Sequence, residues 1–278
     1  MAIQDILVYV DASSHNQARL EAAVSMAKAQ GSALTGLYVV NKPQIPEYIR
    51  AQMKPSFFER QQAAAMQAAV DAEKTFKDLT AAAGLETDWY VARGNQAEAI
   101  SLHGRYADLV IIGQQDPEEA EKEGTEELPD RVVLSIGRPV LLLPYDGELE
   151  TVGKHIAVAW DASRLAARAV SDALPFLQAA DRVDILVVNA HGGAAGRGTA
   201  VGSAICKYLT RHGVDASAQH VYGDESDDGA KLHAHAVELG ADMIVMGAYG
   251  HARWREVALG GVTQYMLRHT KVPVLMSH

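Results

Sequence analysis

The sequence contains an internal repeat, and this repeat constrains the possible folds more than any other feature. The segment ADLVIIG at 107–113 returns 134 residues later as ADMIVMG at 241–247. The segment RPVLL at 138–142 returns at the same spacing as VPVLM at 272–276. Matches in the same order and at a fixed spacing indicate that the chain contains two copies of one structural unit.

A third match lies near the start of each copy, where VDAS at 10–13 corresponds to WDAS at 160–163 with a spacing of 150 residues. The first copy must therefore contain additional residues, and we expect them between Asn41 and Arg60, where prolines interrupt the pattern. The repeat predicts one domain over residues 1–146 and a second over residues 147–278.

Within each copy, short apolar runs alternate with longer amphipathic, alanine-rich stretches. Ile6–Val10 reads as a buried strand followed by a helix at Asn16–Gln30, and Ile156–Trp160 is followed in the same way by Arg164–Ala179. Strands that alternate with helices predict a parallel sheet with helices on both faces. We predict an α/β protein with two tandem doubly wound domains, each with a five-stranded parallel sheet.

Composition narrows the class of protein. Apolar residues make up 48% of the chain and charged residues 22%, which is typical of globular proteins. The net charge of −10 disfavours binding to nucleic acid or to an anionic membrane. The sequence contains one cysteine, no run of membrane-spanning length and no basic N-terminal flank of a signal peptide, so we expect a cytoplasmic protein.

A glycine-containing segment follows the predicted fourth strand of the second copy. In a doubly wound sheet, ligands bind beyond the carboxyl ends of the strands, so this segment is placed to form a site. Glycines allow close approach of a ligand to the backbone, and a helix that starts at the last of them presents free N–H groups to an anion. The segment contains Gly247, Gly250, Gly260 and Gly261, and the basic residues His251, Arg253 and Arg255 lie close by, so we predict a phosphate site here.

This pattern, Gly-x2-Gly-x9-Gly followed by Val-Thr, resembles that of the ATP-binding universal stress proteins, as do Asp161 and the Pro-Val-Leu of the last strand. The resemblance covers both copies and implies a tandem member with an adenine-nucleotide α-hydrolase-like fold. It implies that Asp161, its neighbour Ala162 and Val188 contact the adenosine. It also implies that ribose and phosphates are held by Gly247, Gly250, Gly260, Gly261, Val262 and Thr263. The implied ligand is ATP, with or without Mg²⁺, and we expect no redox cofactor and no protein metal site.

One position departs from the family pattern. Gly261 stands where the family usually has Ser or Thr, so one hydrogen bond of about 0.5–1.5 kcal/mol would be lost. Trp160, before Asp161, either lines the pocket or narrows it. Ser13 and Ser163 follow the first strands of their copies, and we expect both to be helix N-caps.

The first copy lacks the same motif. Gly113 is present, but Asp116 replaces the second glycine, and Glu126 and Glu127 replace the final pair. Eight acidic residues lie between Asp116 and Asp130, and such a run would repel a triphosphate. We expect a solvated acidic loop here, and a first domain that serves pairing and scaffolding, with or without a ligand of its own.

Three functions are compatible with these features. The first is an ATP-binding protein of stress response or regulation that acts through nucleotide-dependent conformation or partner binding. The second is a ligand-free interaction or dimerisation module, and the third is an enzyme, at most a slow nucleotide hydrolase, since no dedicated general base is recognisable. The resemblance implies that the two domains pair within the chain, and it leaves open whether two chains form a homodimer.

Overall fold

The structure is a computed structural model of the 278-residue chain. It describes residues 2–41, 55–118, 127–147, 149–188, 197–221, 228–249 and 261–278. The strands in these ranges are β1 (Asp5–Val10), β2 (Ala33–Asn41), β3 (Thr87–Gly94), β4 (Leu109–Gly113), β5 (Val140–Leu143), β6 (His155–Trp160), β7 (Arg182–Val188), β8 (Ala216–Val221), β9 (Met243–Gly247) and β10 (Val274–Ser277). The helices are α1 (Asn16–Gln30), α2 (Pro55–Ala83), α3 (Gln96–Gly104), α4 (Leu128–Ser135), α5 (Arg164–Ala179), α6 (Arg197–Arg211), α7 (Asp228–Glu238) and α8 (Gly261–His269).

The ten described strands form one continuous sheet in the order β3-β2-β1-β4-β5-β10-β9-β6-β7-β8. Within each half all described neighbours are parallel, and each half has the doubly wound order that the sequence predicts. The halves meet through β5 and β10, which pair antiparallel with Leu141 opposite Leu275. The two five-stranded sheets are therefore joined within one chain.

The core lies in two layers, one on each face of the sheet. Alternating residues of β1 supply both layers, with Ile6 and Val8 on one face and Leu7 and Tyr9 on the other. Helices α1, α2, α5 and α6 cover the first face, and α3, α4, α7 and α8 cover the second. The central strands are buried on both faces, which explains why the sequence shows them as continuous apolar runs.

The additional length of the first copy is largely helical, so the predicted placement between Asn41 and Arg60 is only partly right. Helix α2 has 29 residues, whereas its counterpart α6 has 15. Pro55, which the sequence pattern groups with the loop, is the first residue of α2. Proline fits that position because its fixed φ suits a helix and its missing N–H has no partner there.

Helix α4 emerges from the acidic segment of the first half, where the sequence alone indicated only a loop. Leu128, Val132 and Val133 of this helix are buried in the core. In the sequence, the surrounding acidic residues make this short apolar pattern hard to recognise as a helix. Among the helices in the described ranges, none has the length and apolar character required to cross a membrane.

Candidate functional site

The crevice in each half follows from the strand order. In the second half, β7 lies on one side of β6 and β9 lies on the other, so the strand order reverses between β6 and β9. These two strands are parallel, with Ile156 opposite Met243, and their carboxyl ends lie at the same edge. The residues after Trp160 and Gly247 therefore meet where doubly wound proteins bind ligands.

Asp161 and Ala162 form the first side of this crevice. Asp161 is exposed, and its Oδ1 accepts the Ser163 N–H at 2.9 Å. Ser163 caps α5, as expected, because its Oγ accepts the Ala166 N–H at 3.1 Å. Ala162 has φ +61°, a left-handed conformation that non-glycine residues seldom adopt. Among the described residues, nothing neutralises the Asp161 carboxylate.

Gly247, at the end of β9, is a glycine for a reason that the motif does not reveal. A Cβ at this position would lie 2.5 Å from the carbonyl carbon of Leu165 and 2.6 Å from the backbone N of Ala166. The missing side chain therefore allows the first turn of α5 to pack against the end of β9. Gly247 shapes the crevice by bringing the two elements together.

The other side of the crevice is the start of α8. Thr263 is buried, and its Oγ1 accepts the Tyr249 N–H at 3.0 Å. This hydroxyl therefore holds the chain that leaves β9, while Val262 packs partly buried on the core. Gly261 is the first residue of α8 and exposed, and an added Cβ would meet no atom of the described residues within 4 Å.

The sequence predicts four further site residues, and the described ranges contain one of them, Val188. Gly250, His251 and Gly260 lie outside the described residues. Val188 ends β7 opposite Val221 of β8, at the same edge of the sheet as Asp161. Trp160 is half-buried against the core, and its indole Nε1 is buried with no hydrogen-bond partner within the described ranges.

The first half fills the corresponding place with its own side chains. Arg19 of α1 is buried, and its guanidinium donates to Asp11 Oδ2 at 2.8 Å and to Asp11 Oδ1 at 3.1 Å. The same group donates to the Tyr9 carbonyl and to Ser13 Oγ, both at 3.1 Å. Asp11, the counterpart of Asp161, is thus already paired by a bidentate contact.

Ser13 takes part in this cluster, so its predicted role as a helix N-cap is wrong. Its Oγ donates to Asp11 Oδ1 at 2.6 Å, and the N-cap position of α1 belongs to His15, which makes no side-chain capping bond. The presence of Arg19 one turn into the helix draws the hydroxyl away from the helix end.

The electrostatics of Asp11 follow from these contacts. Burial raises the pKa of the Asp11 carboxyl, but the Arg19 charge and hydrogen bonds from Arg19 and Ser13 outweigh it, so the pKa is lowered overall. Gly113 also serves this cluster, because a Cβ there would lie 2.9 Å from Arg19 Cζ. Sequence patterns missed Arg19, since nothing distinguishes it from an ordinary exposed helix residue.

The space that remains beside this ion pair is small. A cavity of about 30 Å³ opens next to it, which corresponds to about one or two water molecules. Polar side chains line most of the cavity, including Tyr9, Asp11, Arg19, Gln96, Gln114 and Asp116. In the described residues of the first half, the ion pair therefore leaves a small polar cavity beside the carboxylate of Asp11.

The acidic segment of the first half makes more side-chain contacts than the expected solvated loop would. Glu127, at the position of Gly261, pairs with Arg131 at 2.8 Å. Asp116 Oδ2 lies 3.4 Å from His15 Nε2. Asp130 Oδ1 accepts a hydrogen bond from the hydroxyl of Tyr249 in the second half at 2.7 Å. Sequence patterns could not reveal this contact. Residues 119–126 lie outside the described ranges.

The second crevice has features that suit an adenine nucleotide. Asp161 offers a carboxylate to hydroxyl or amino donors, since nothing among the described residues neutralises it. Gly261 begins α8, and the first N–H groups of a helix have no intrahelical partners, so this end of the helix suits an anion. In the described part of the chain, no group of three His, Cys, Asp or Glu side chains is arranged to hold a metal ion.

Fold and crevice together define a tandem, doubly wound α/β protein. The sequence matches the universal stress protein family over residues 2–143 and again over residues 153–278. The chain belongs to this family and contains two of its domains in tandem. Among curated proteins, no sequence matches significantly.

Two solved structures agree with this fold over nearly the whole chain. A universal stress protein from Archaeoglobus fulgidus DSM 4304 is similar over 98% of this chain and 97% of its own, with 18% identity and a TM-score of 0.78. A protein of unknown function from Pseudomonas aeruginosa PAO1 covers 99% of this chain and 92% of its own, with 15% identity and a TM-score of 0.61. A universal stress protein in complex with cAMP is similar to 52% of this chain and covers 100% of its own, with 18% identity and a TM-score of 0.35.

Proposed function

We propose that the second half of this universal stress protein binds ATP, with or without Mg²⁺, and that the first half binds no nucleotide. The protein would act in a cytoplasmic stress or regulatory response, through nucleotide-dependent conformation or partner binding. The observation that carries the proposal is the state of Asp161, which is exposed and unneutralised among the described residues. Its counterpart Asp11 is closed by Arg19.

The described residues would divide the work between the two ends of the ligand. Asp161 would accept hydrogen bonds from the adenosine part, held in place by the Ser163 N–H and the turn at Ala162. The start of α8 at Gly261 would receive the phosphates through backbone N–H groups and the positive end of the helix dipole. Gly250, His251 and Gly260 would complete the phosphate site, as the motif implies.

Retained nucleotide is the direct test of this proposal. The protein is purified under native conditions, denatured, and the released small molecules are identified by mass spectrometry. The nucleotide-free chain is then titrated with ATP in a calorimeter, with and without Mg²⁺. We expect adenine nucleotide in the first measurement and saturable heat in the second. Absence of both at millimolar ATP would favour the ligand-free interaction module.

Asp161→Ala tests the role of the carboxylate. A hydrogen bond to a charged group contributes about 1.5–3 kcal/mol, so ATP affinity should fall by about tenfold or more. Asp181→Ala is the matched control, because Asp181 is exposed in the same half and its loss changes the net charge equally. Similar weakening in both variants would show only a general charge effect and would contradict the assignment of Asp161.

Turnover is measured on the same samples. Because no general base is evident, we expect ATP hydrolysis well below about 1 s⁻¹, the lower end of common enzyme rates. Faster hydrolysis would move the protein to the class of nucleotide hydrolases. Sedimentation with and without ATP determines whether two chains associate.

A further inference from the structure

Tyr249 connects the two halves of the molecule at the proposed nucleotide crevice. It lies two residues after β9, between Gly247 and Gly250 of the motif, but its side chain extends to the first half. The Tyr249 hydroxyl donates to Asp130 Oδ1 at 2.7 Å, a contact between residues 119 positions apart. Asp130 lies in the first turn of α4, which contacts α8 across the junction of the two halves.

Tyr249 is held from three directions. Its N–H is bound to Thr263 Oγ1 at 3.0 Å, its hydroxyl to Asp130, and its ring meets that of His278 edge-on at 6.2 Å. Its φ of +60° is a left-handed conformation that persists only where surrounding contacts enforce it. Burial, followed by the hydrogen bond and charge of Asp130, raises the pKa of the Tyr249 phenol, so the hydroxyl remains a donor at neutral pH.

The halves do not depend on this one hydrogen bond for their association. The β5–β10 ladder already joins them, and Leu141 and Leu275 of this ladder are fully buried. Removal of the hydroxyl of Tyr249 should therefore leave the sheet intact. The change should instead affect the backbone between β9 and the residues that follow Tyr249, since this backbone is what the three contacts fix.

We propose that Asp130 of the first half is a positioning residue for the nucleotide site of the second half, acting through Tyr249. The hydrogen bond to a carboxylate is short and charge-assisted, which makes it stronger than a neutral contact. Asp130 thereby fixes the position of Tyr249, two residues after the end of β9. The inference rests on the proposed function for its affinity measurement, but its geometric part does not need a ligand.

The test uses the full chain and four variants: Tyr249→Phe, Asp130→Ala, Asp130→Asn and the double variant Tyr249→Phe/Asp130→Ala. ATP affinity is measured by calorimetry, and exchange of the Tyr249 amide hydrogen by NMR or mass spectrometry without ligand. We expect each of Tyr249→Phe and Asp130→Ala to weaken ATP binding by about five- to tenfold. The double variant should be no weaker than either single variant, because both remove the same bond.

Asp130→Asn separates hydrogen bonding from charge. The amide oxygen still accepts the phenol hydrogen, so affinity should recover to within about threefold of the wild type. The matched control is Asp88→Ala, which removes an exposed charge from β3 of the same half and should bind ATP like the wild type. A role limited to folding would alter the free energy of unfolding without this pattern of rescue and non-additivity.

Exchange of the Tyr249 amide distinguishes the two possible failures. We expect it to accelerate by at least about threefold in Tyr249→Phe and Asp130→Ala, because the Thr263 contact opens more often. Unchanged exchange, or additive losses of affinity, would overturn the positioning role. If the wild type binds no ATP, the proposed function fails, and the exchange rates alone decide whether Asp130 positions the segment.

Discussion

The two halves place an aspartate at the same point after their first strand and give it opposite surroundings. Asp11 is bound at both oxygens by Arg19, whereas Asp161 is exposed and contacts only Ser163 among the described residues. Arg19 lies eight residues after Asp11, and eight residues after Asp161 stands the buried Ala169. One long cationic side chain is thus enough to convert an open carboxylate into an internal ion pair.

The glycines at the ends of β4 and β9 show the same divergence. Gly113 leaves room for the guanidinium of Arg19, whereas Gly247 leaves room for the backbone of α5. The same residue type at an equivalent position is therefore required by two different neighbours. A glycine that both motifs share does not by itself show that the two sites have the same role.

Removal of the two aspartates should change the free energy of unfolding by very different amounts. Asp11→Ala leaves the buried Arg19 without its partner, which should lower the free energy of unfolding by about 3–5 kcal/mol. Asp161→Ala should change it by no more than about 0.5 kcal/mol, because this side chain is exposed. Denaturant unfolding measures both. Asp11→Ala/Arg19→Leu should recover part of the loss, and equal effects of the single variants would refute the contrast.

Alanine at the paired glycines gives the next largest difference. Gly247→Ala drives a Cβ into backbone atoms of α5 that cannot yield, which should cost about 2–3 kcal/mol of unfolding free energy. Gly113→Ala meets only the end of the Arg19 side chain, which can shift, so about 1 kcal/mol is expected. Thermal unfolding compares the two variants. A larger loss for Gly113→Ala would mean that the Asp11–Arg19 cluster is the more rigid neighbour.

Acid should weaken the first half through Asp11. The folded pKa of Asp11 lies below its unfolded value, so its stabilising effect is present above about pH 4 and is lost as the pH falls through the folded pKa. We expect the stability difference between wild type and Asp11→Asn to be constant near neutral pH and to shrink below about pH 4. Urea unfolding at a series of pH values measures it, and a difference that persists into strong acid would contradict the ion pair.

The smallest expected effect concerns the residue that departs from the family pattern. Gly261→Ser has space for its side chain and restores a hydroxyl, so ATP affinity should rise by about two- to tenfold. Glu127→Ser makes the equivalent change in the first half, where Arg19 still closes the crevice, and should create no ATP binding. Calorimetric titration compares the two. Binding in the first half after this single change would show that the acidic segment, rather than Arg19, blocks it.

The fold was predictable because its signals are local and repeated. Strands such as Leu109–Gly113 and helices such as Asn16–Gln30 coincide with the apolar runs and periodic stretches of the sequence. The repeat supports each assignment, because the same order of strands and helices is predicted in both copies. Helix α4 is not evident from the sequence, because only four buried residues mark it within an acidic stretch. The pattern predicts α2 as Phe58–Ala83, which lacks only the first three of its residues, Pro55 to Phe57.

The site was predictable only as far as its backbone pattern. Asp161 and Gly261 could be placed at one edge of the sheet because parallel strands end together. The Arg19–Asp11 pair and the Tyr249–Asp130 bond depend on where long side chains extend, across eight and 119 positions of sequence. No periodicity encodes such contacts, so the sequence pattern alone predicts a helix cap for Ser13 and a solvated loop for Asp130.

The antiparallel junction of β5 and β10 has a consequence for how this molecule can vary. In a symmetric pair of identical chains, every substitution is present in both copies, so a change that closes one crevice closes both. Here the partners are successive stretches of one polypeptide, joined at the point where Leu141 faces Leu275. A mutation can therefore act on one crevice while the other remains unaltered. Each chain carries one crevice with an exposed aspartate and one in which the aspartate is paired with Arg19.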